Sequence, residues 1–177
     1  MRLSEKIQLG INIEIKARCD DLELFKSRVL QLPVTFEGED FQTDTFFKVP
    51  QGRLKLRESS LYGNILIPYL RPDQDGPKQS DYELIPISDP QKIKDILNKI
   101  LGIKGEVRKR RQIYIFENVR IHLDKVERLG NFIEFEAVID DEKQLEFNNE
   151  KIQWLLKFFN IDSTHLIEAA YMDLMRI

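Results

Sequence analysis

The sequence predicts an α+β fold in which antiparallel strands turn one apolar face to helices and carry charge on the other. Three observations carry that prediction. Segments such as "INIEIKAR", Ile11 to Arg18, alternate apolar and polar residues with the two-residue period of a strand. Proline and glycine clusters punctuate these segments at hairpin spacing. Between and after the strand groups lie stretches with helical spacing, capping residues and stop signals.

After the first strand, Asp20 or Asp21 can cap a helix carrying Leu22, Leu24, Phe25, Val29 and Leu30, with Pro33 just past its end. "DTFFKVPQGRLKLRESS" reads as a hairpin whose turn holds Pro50 and Gly52. A further strand, Asn64 to Leu70, runs into the loop "RPDQDGPKQS", and "DYELIPIS" returns as its partner. "SDPQKIKDILNKILG" is the clearest helix, with Ser88 or Asp89 as cap, Pro90 in the first turn and Gly102 as the stop. It connects two strand groups. The second holds "EVRKRRQIYIF", "VRIHLDKVE" and "NFIEFEAVID", followed by a helix from Glu142 to Phe159 and a short one near Ser163. No low-complexity linker divides the chain, so residues 1–177 are expected to form one domain.

Composition sets limits on function. With 42% hydrophobic and 32% charged residues over 177, the chain can bury a sizeable core. Lone Cys19 cannot form an internal disulfide, and no apolar run suggests a secretory signal or membrane helix, so a reducing cytoplasm is the expected compartment. The 27 basic and 30 acidic residues give a net charge of -3, which weighs against a nucleic-acid partner. Any anion site must come from local clustering.

Such clustering is present. Arg53, Lys55 and Arg57 share one strand face, Lys109 and Arg111 another, and Glu134 and Glu136 a third, while Arg120, His122 and Asp124 alternate with Val119, Ile121 and Leu123. Two architectures satisfy this pattern. An open antiparallel sheet would show the charges to water, whereas a sheet curled into a barrel would line a lumen with them. Like charges two residues apart on a strand face repel unless compensated. A polyanion would compensate the basic set, since Arg donates paired hydrogen bonds to phosphate and Lys supplies a point charge. A divalent cation would compensate the acidic set, because Mg²⁺ and Mn²⁺ take carboxylate oxygens. His122 reads as a hydrogen-bonding neighbour rather than a base, and alternation splits "RKRR" so that Arg108 and Arg110 face away from Lys109 and Arg111.

The segments "NIEIKAR", "DTFF", "GRLKLRE", "YLRPDQDGPK", "KRRQIYIF", "IHLDKVERLGNFIEFE" and "LIEAAYMDLM", in this order, resemble the CYTH superfamily of triphosphate tunnel proteins, and its class IV adenylate cyclase branch in particular. The resemblance implies an antiparallel eight-stranded closed β-barrel with helices packed outside. It implies Mg²⁺ or Mn²⁺ as cofactor, held by Glu14, Asp124, Glu134 and Glu136. It further implies that Lys16, Arg53, Lys55, Arg57, Arg71, Lys78, Lys109, Arg111 and Arg120 bind the substrate, with Lys16, Lys109 and Arg111 in the catalytic set. Asn12 stands where the family's ExExK strand has its first acid, leaving one carboxylate fewer for metal.

The expected activity is conversion of ATP to cyclic AMP and pyrophosphate. The alternatives are hydrolysis of thiamine triphosphate or inorganic tripolyphosphate, or binding of a polyphosphate or nucleotide without turnover. The partner is then a small-molecule triphosphate, no membrane is involved, and the chain could pair as a homodimer.

Overall fold

The computed structural model of the protein describes residues 11–70, 81–139 and 142–175. Strand β1 (Ile11–Arg18) leads into helix α1 (Leu22–Val29), where the Asp21 carboxylate accepts hydrogen bonds from the Glu23 and Leu24 amides. Three long strands follow as a meander, β2 (Thr35–Phe47), β3 (Arg53–Ser59) and β4 (Gly63–Leu70). Two residue pairs, β5 (Asp81–Tyr82) and β6 (Ile85–Pro86), lie along β4. Helix α2 (Pro90–Leu101) starts at Asp89, whose side chain accepts from the Lys92 amide, and ends at Gly102, whose φ of 79° suits glycine. Strands β7 (Ile103–Phe116), β8 (Val119–Val126) and β9 (Gly130–Ile139) form the second meander, followed by helices α3 (Leu145–Phe158) and α4 (Tyr171–Leu174).

All pairings are antiparallel, and eight strands run in the order β1-β9-β8-β7-β2-β3-β4-β5, with β6 also on β4. The expected closure into a barrel is not seen among the described residues. Among the described residues the ladder stays open between β1 and the β4 edge. The reason lies in β4 and its neighbours: Pro68 and Pro86 donate no ladder hydrogen bond, and β5 and β6 are too short to bridge to β1. The sheet is nevertheless strongly curved, since side chains from β1 and β4 line one cavity. The result is a trough.

Alternation sorts each strand between two environments. Ile13, Ala17, Ile121, Leu123, Ile133, Phe135 and Ala137 point outward and pack with Val29 of α1 and Ile152, Leu155 and Leu156 of α3. Phe135 meets Phe159 with ring centroids 5.3 Å apart. Inward residues are charged along most of the trough but become apolar at one end, where Phe46, Val107, Val126 and Phe132 receive Tyr171, Met172 and Met175. Helix α4 and its flanks therefore seat on the concave face, at the end where the sequence supplies an apolar floor.

Candidate active site

A cavity of about 430 Å³ occupies the trough, lined by Glu14, Lys16, Asp44, Lys55, Arg57, Lys109, Arg111, Arg120, Glu134 and Glu136 among others. The strand registers explain how residues far apart in sequence meet. Asp44 of β2 lies directly opposite Arg57 of β3, Arg111 of β7 opposite Asp124 of β8, and Lys16 of β1 opposite Glu134 of β9.

On the β2, β3 and β7 side, the Arg57 guanidinium forks onto Asp44, with Nε to Oδ1 and Nη2 to Oδ2 both at 2.7 Å. Lys55 Nζ and Lys109 Nζ each lie 3.5 Å from Asp44 Oδ2. Burial pushes the Asp44 carboxyl up, but Arg57, Lys55 and Lys109 outweigh it and hold the group well below the usual carboxylate range. The amines move the other way. Burial, reinforced by neighbouring cations, brings Lys55 down to about 8. Lys109 falls to about 7, chiefly through burial, which the attraction of Asp44 does not overcome.

On the β1, β8 and β9 side, Arg111 forks onto Asp124 at 2.7 and 2.6 Å and reaches Glu134 Oε1 at 3.0 Å. Glu134 also faces His122 Nδ1 at 3.0 Å and Lys16 Nζ at 3.2 Å. Burial raises both carboxyls, and Arg111 overrides it; Glu134 is held well below its usual range with help from Lys16. The Tyr171 hydroxyl donates to Asp124 Oδ2 at 2.7 Å, while its ring lies 4.5 Å from Lys16 Nζ and 5.4 Å from Lys109 Nζ. One side chain from α4 thus touches both walls.

The sequence-derived candidates fare differently. Glu14, Lys16, Lys55, Arg57, Lys109, Arg111, Arg120, Glu134 and Glu136 all line the cavity. Asp124 is fully buried beside Arg111, whose guanidinium donates to both its oxygens, and the Tyr171 hydroxyl donates to one of them. Arg53 is drawn toward α4, where its Nη2 meets Asp173 Oδ2 at 2.7 Å, and it is not among the lining residues. Arg71 and Lys78 lie outside the described residues. The alternation argument on "RKRR" holds: the side chains of Arg108 and Arg110 are 62% and 51% exposed, against 4% and 7% for Lys109 and Arg111. His122 is a hydrogen-bonding neighbour of Glu134, as its position on a polar strand face suggested.

Sequence reasoning missed Asp44 and Tyr171. Asp44 sits within the "DTFF" segment, but its role depends on the cross-strand register that sets it opposite Arg57. It also missed Asp40, a buried carboxylate that accepts from the Ser59 and Ser60 hydroxyls and the Leu61 amide and so ties β2 to the β3–β4 turn. Asp40 further accepts from Gln42 Nε2 at 2.6 Å; Gln42 lines the cavity, and no protein donor reaches its Oε1 among the described residues.

Metal ligation can be weighed on this geometry. Glu14 and Glu136 are directly opposite each other on β1 and β9, and both are less buried than Glu134. Their oxygens are the hard donors that Mg²⁺ or Mn²⁺ prefers, and such ions commonly take one or two carboxylates plus water and phosphate oxygens. Among the described residues no set of three or more His, Cys, Asp or Glu side chains is gathered as a ready-made metal cage.

Comparison with known proteins accords with this architecture. The CYTH domain model matches residues 10–171, and the chain belongs to that family. It is similar to the Methanocaldococcus jannaschii protein named "Putative adenylate cyclase MJ0240", 30% identical over 174 residues that make up 93% of this chain and 98% of the relative. It is also similar to adenylate cyclase CyaB of Aeromonas hydrophila, 26% identical over 180 residues, 97% of this chain and 92% of the relative. Among solved structures, the PH1012 protein from Pyrococcus horikoshii superposes with a TM-score of 0.82 at 23% identity, covering 93% of this chain and 99% of the other, a likeness of fold.

Proposed function

We propose that the protein is a metal-dependent enzyme that holds the triphosphate of ATP in the trough and converts it to cyclic AMP and pyrophosphate. The observation that carries this reading is the pairing of a cation-rich wall with a carboxylate-rich wall across one cavity. Phosphate oxygens would take hydrogen bonds from Lys55, Arg57 and Lys109 on the first wall and from Lys16 and Arg111 on the second. Glu14 and Glu136 would hold Mg²⁺ or Mn²⁺ at its far side. The two adenylate cyclase names among the relatives support the choice of reaction.

Arg111 and Arg57 are each forked by a buried carboxylate, so their free N–H groups are already aimed when a ligand arrives. In cyclisation the ribose 3′-hydroxyl oxygen bonds to the α-phosphorus, the bond from that phosphorus to the β-phosphate oxygen breaks so that pyrophosphate leaves, and the hydroxyl proton passes to water. Preoriented cations stabilise the charge gathering on the leaving group. A bound divalent ion supplies further stabilisation of phosphate charge. The side chains need only position and neutralise.

The test is phosphorus NMR of the purified protein with Mg²⁺ or Mn²⁺, offered ATP, tripolyphosphate and thiamine triphosphate in parallel. Cyclic AMP with pyrophosphate is the expected result. Orthophosphate would transfer the assignment to a triphosphatase. Tight binding with every substrate unchanged would overturn the enzymatic reading.

A further inference from the structure

One wall of the cavity differs from the rest. Ile65, Ile67 and Tyr69 alternate along the inward face of β4, and Tyr82 of β5 stands directly opposite Tyr69 in the register. With Leu84 they form a lining without a charged group, in a cavity whose other strands contribute ammonium, guanidinium and carboxylate groups. A chain of phosphates gains nothing from such a wall, since its oxygens lose water there and find no donor. A flat organic ring gains both buried area and an aromatic face to stack on.

The apolar wall also adjoins the phosphate-binding one. Lys55 Nζ lies 5.5 Å from the centroid of the Tyr69 ring and 3.5 Å from Asp44. Across the trough, Glu136 and Arg120 line the same cavity as Tyr82. A ring seated on Tyr82 would therefore sit between the cationic wall and the carboxylates of β9.

We infer that the β4–β5 wall is the seat of an aromatic ring carried by the substrate, with Tyr82 a specificity-determining residue that favours an organic ester of triphosphate over inorganic tripolyphosphate. This rests on the triphosphate reading above and narrows it. The shared chemistry is a triphosphate esterified to a ring-bearing group, which both a nucleoside and thiamine provide.

Isothermal titration calorimetry of the full chain tests the inference with ATP, thiamine triphosphate and tripolyphosphate, each in EDTA and again in Mg²⁺. The wild type is expected to bind at least one of the two esters about tenfold or more tightly than tripolyphosphate, the size of one base–aromatic stack. The tighter ester identifies the ring. Tyr82→Ala should remove most of that preference and leave tripolyphosphate affinity within about twofold, while Tyr82→Phe, which keeps the ring, should retain it. Equal wild-type affinity for all three ligands would overturn the inference and leave the triphosphate reading standing. So would a Tyr82→Ala variant, folded by circular dichroism, that weakens all three in proportion, because that result describes a structural tyrosine. Failure of the wild type to bind any triphosphate would overturn both.

Discussion

On the wall formed by β2, β3 and β7, three cations, Lys55, Arg57 and Lys109, surround the carboxylate of Asp44. Around β1, β8 and β9, the four carboxylates of Glu14, Asp124, Glu134 and Glu136 face Lys16, Arg120 and Arg111, the last reaching across from β7. Both walls use one device, a buried carboxylate that forks an arginine through two short hydrogen bonds. They differ in what is left over. The group around Asp44 holds more cations than carboxylates and the second wall more carboxylates than cations, and neither excess stabilises the folded chain, since buried like charges repel and lose hydration. The metal–triphosphate complex proposed above bears both signs and would compensate both excesses.

The contrast can be broken most strongly at Asp44. Replacing it with Asn leaves Arg57 without its buried counter-charge and removes the attraction that favours protonated Lys55 and Lys109, and urea denaturation should show a loss of about 3–5 kcal/mol. A loss below about 1 kcal/mol would mean that the lysines escape to solvent and that the wall is not held by Asp44. Because the Asp44 carboxyl titrates well below its ordinary range in the fold, its contribution is present above the unfolded carboxylate pKa near 4 and is lost as pH falls through its lower folded value.

On the acidic wall the corresponding cut is Glu136→Ala. Its side chain is only partly buried, so the fold should persist while metal-dependent turnover falls by at least about a hundredfold, as expected when charge stabilisation of several kcal/mol is removed. Normal Mg²⁺ dependence in this variant would remove Glu136 from the ligand set.

Tyr171→Phe sharpens the comparison by loosening one wall alone. It keeps the ring beside Lys16 and Lys109 but deletes the hydrogen bond to Asp124, and thermal unfolding should register about 2 kcal/mol for a bond to a charged group.

The smallest effect belongs to Lys109→Met, expected to weaken triphosphate binding about tenfold, the share of one charge-assisted contact. The wild-type affinity should itself decline between pH 6.5 and 8.5, as Lys109 near 7 and then Lys55 near 8 lose their protons. Stability moves oppositely over the window from about pH 7 to the ordinary lysine value of 10.5: there the unfolded chain holds the Lys109 proton and the fold does not, so this residue's contribution rises with pH. Calorimetric affinity and denaturation profiles that rise or fall together would contradict that account.

Alternation and capping were legible without any structure because they are local. A two-residue period determines which side chains share a face, and so predicted that Lys109 and Arg111 would be separated from Arg108 and Arg110. Asp89, Pro90 and Gly102 marked α2 within a residue or so, because each satisfies or withholds a backbone group at a helix end. The family pattern located most of the cavity-lining charges, since their spacing along each strand survives in the primary sequence.

Tertiary structure alone decided the partners. That Asp124 meets Arg111 depends on register between β7 and β8, and whether Arg53 faces the cavity or Asp173 depends on where α4 docks. Closure of the sheet was likewise undecidable from strand count, because it turns on whether the edge of β4 finds a long partner, and Pro68 and the two-residue β5 and β6 leave it without one among the described residues. The sequence by itself determined which face of each strand carries charge. Only the fold determined which opposite charges meet, because pairing across strands depends on contacts between residues tens of positions apart, and a one-residue change of register would have exchanged every one of them.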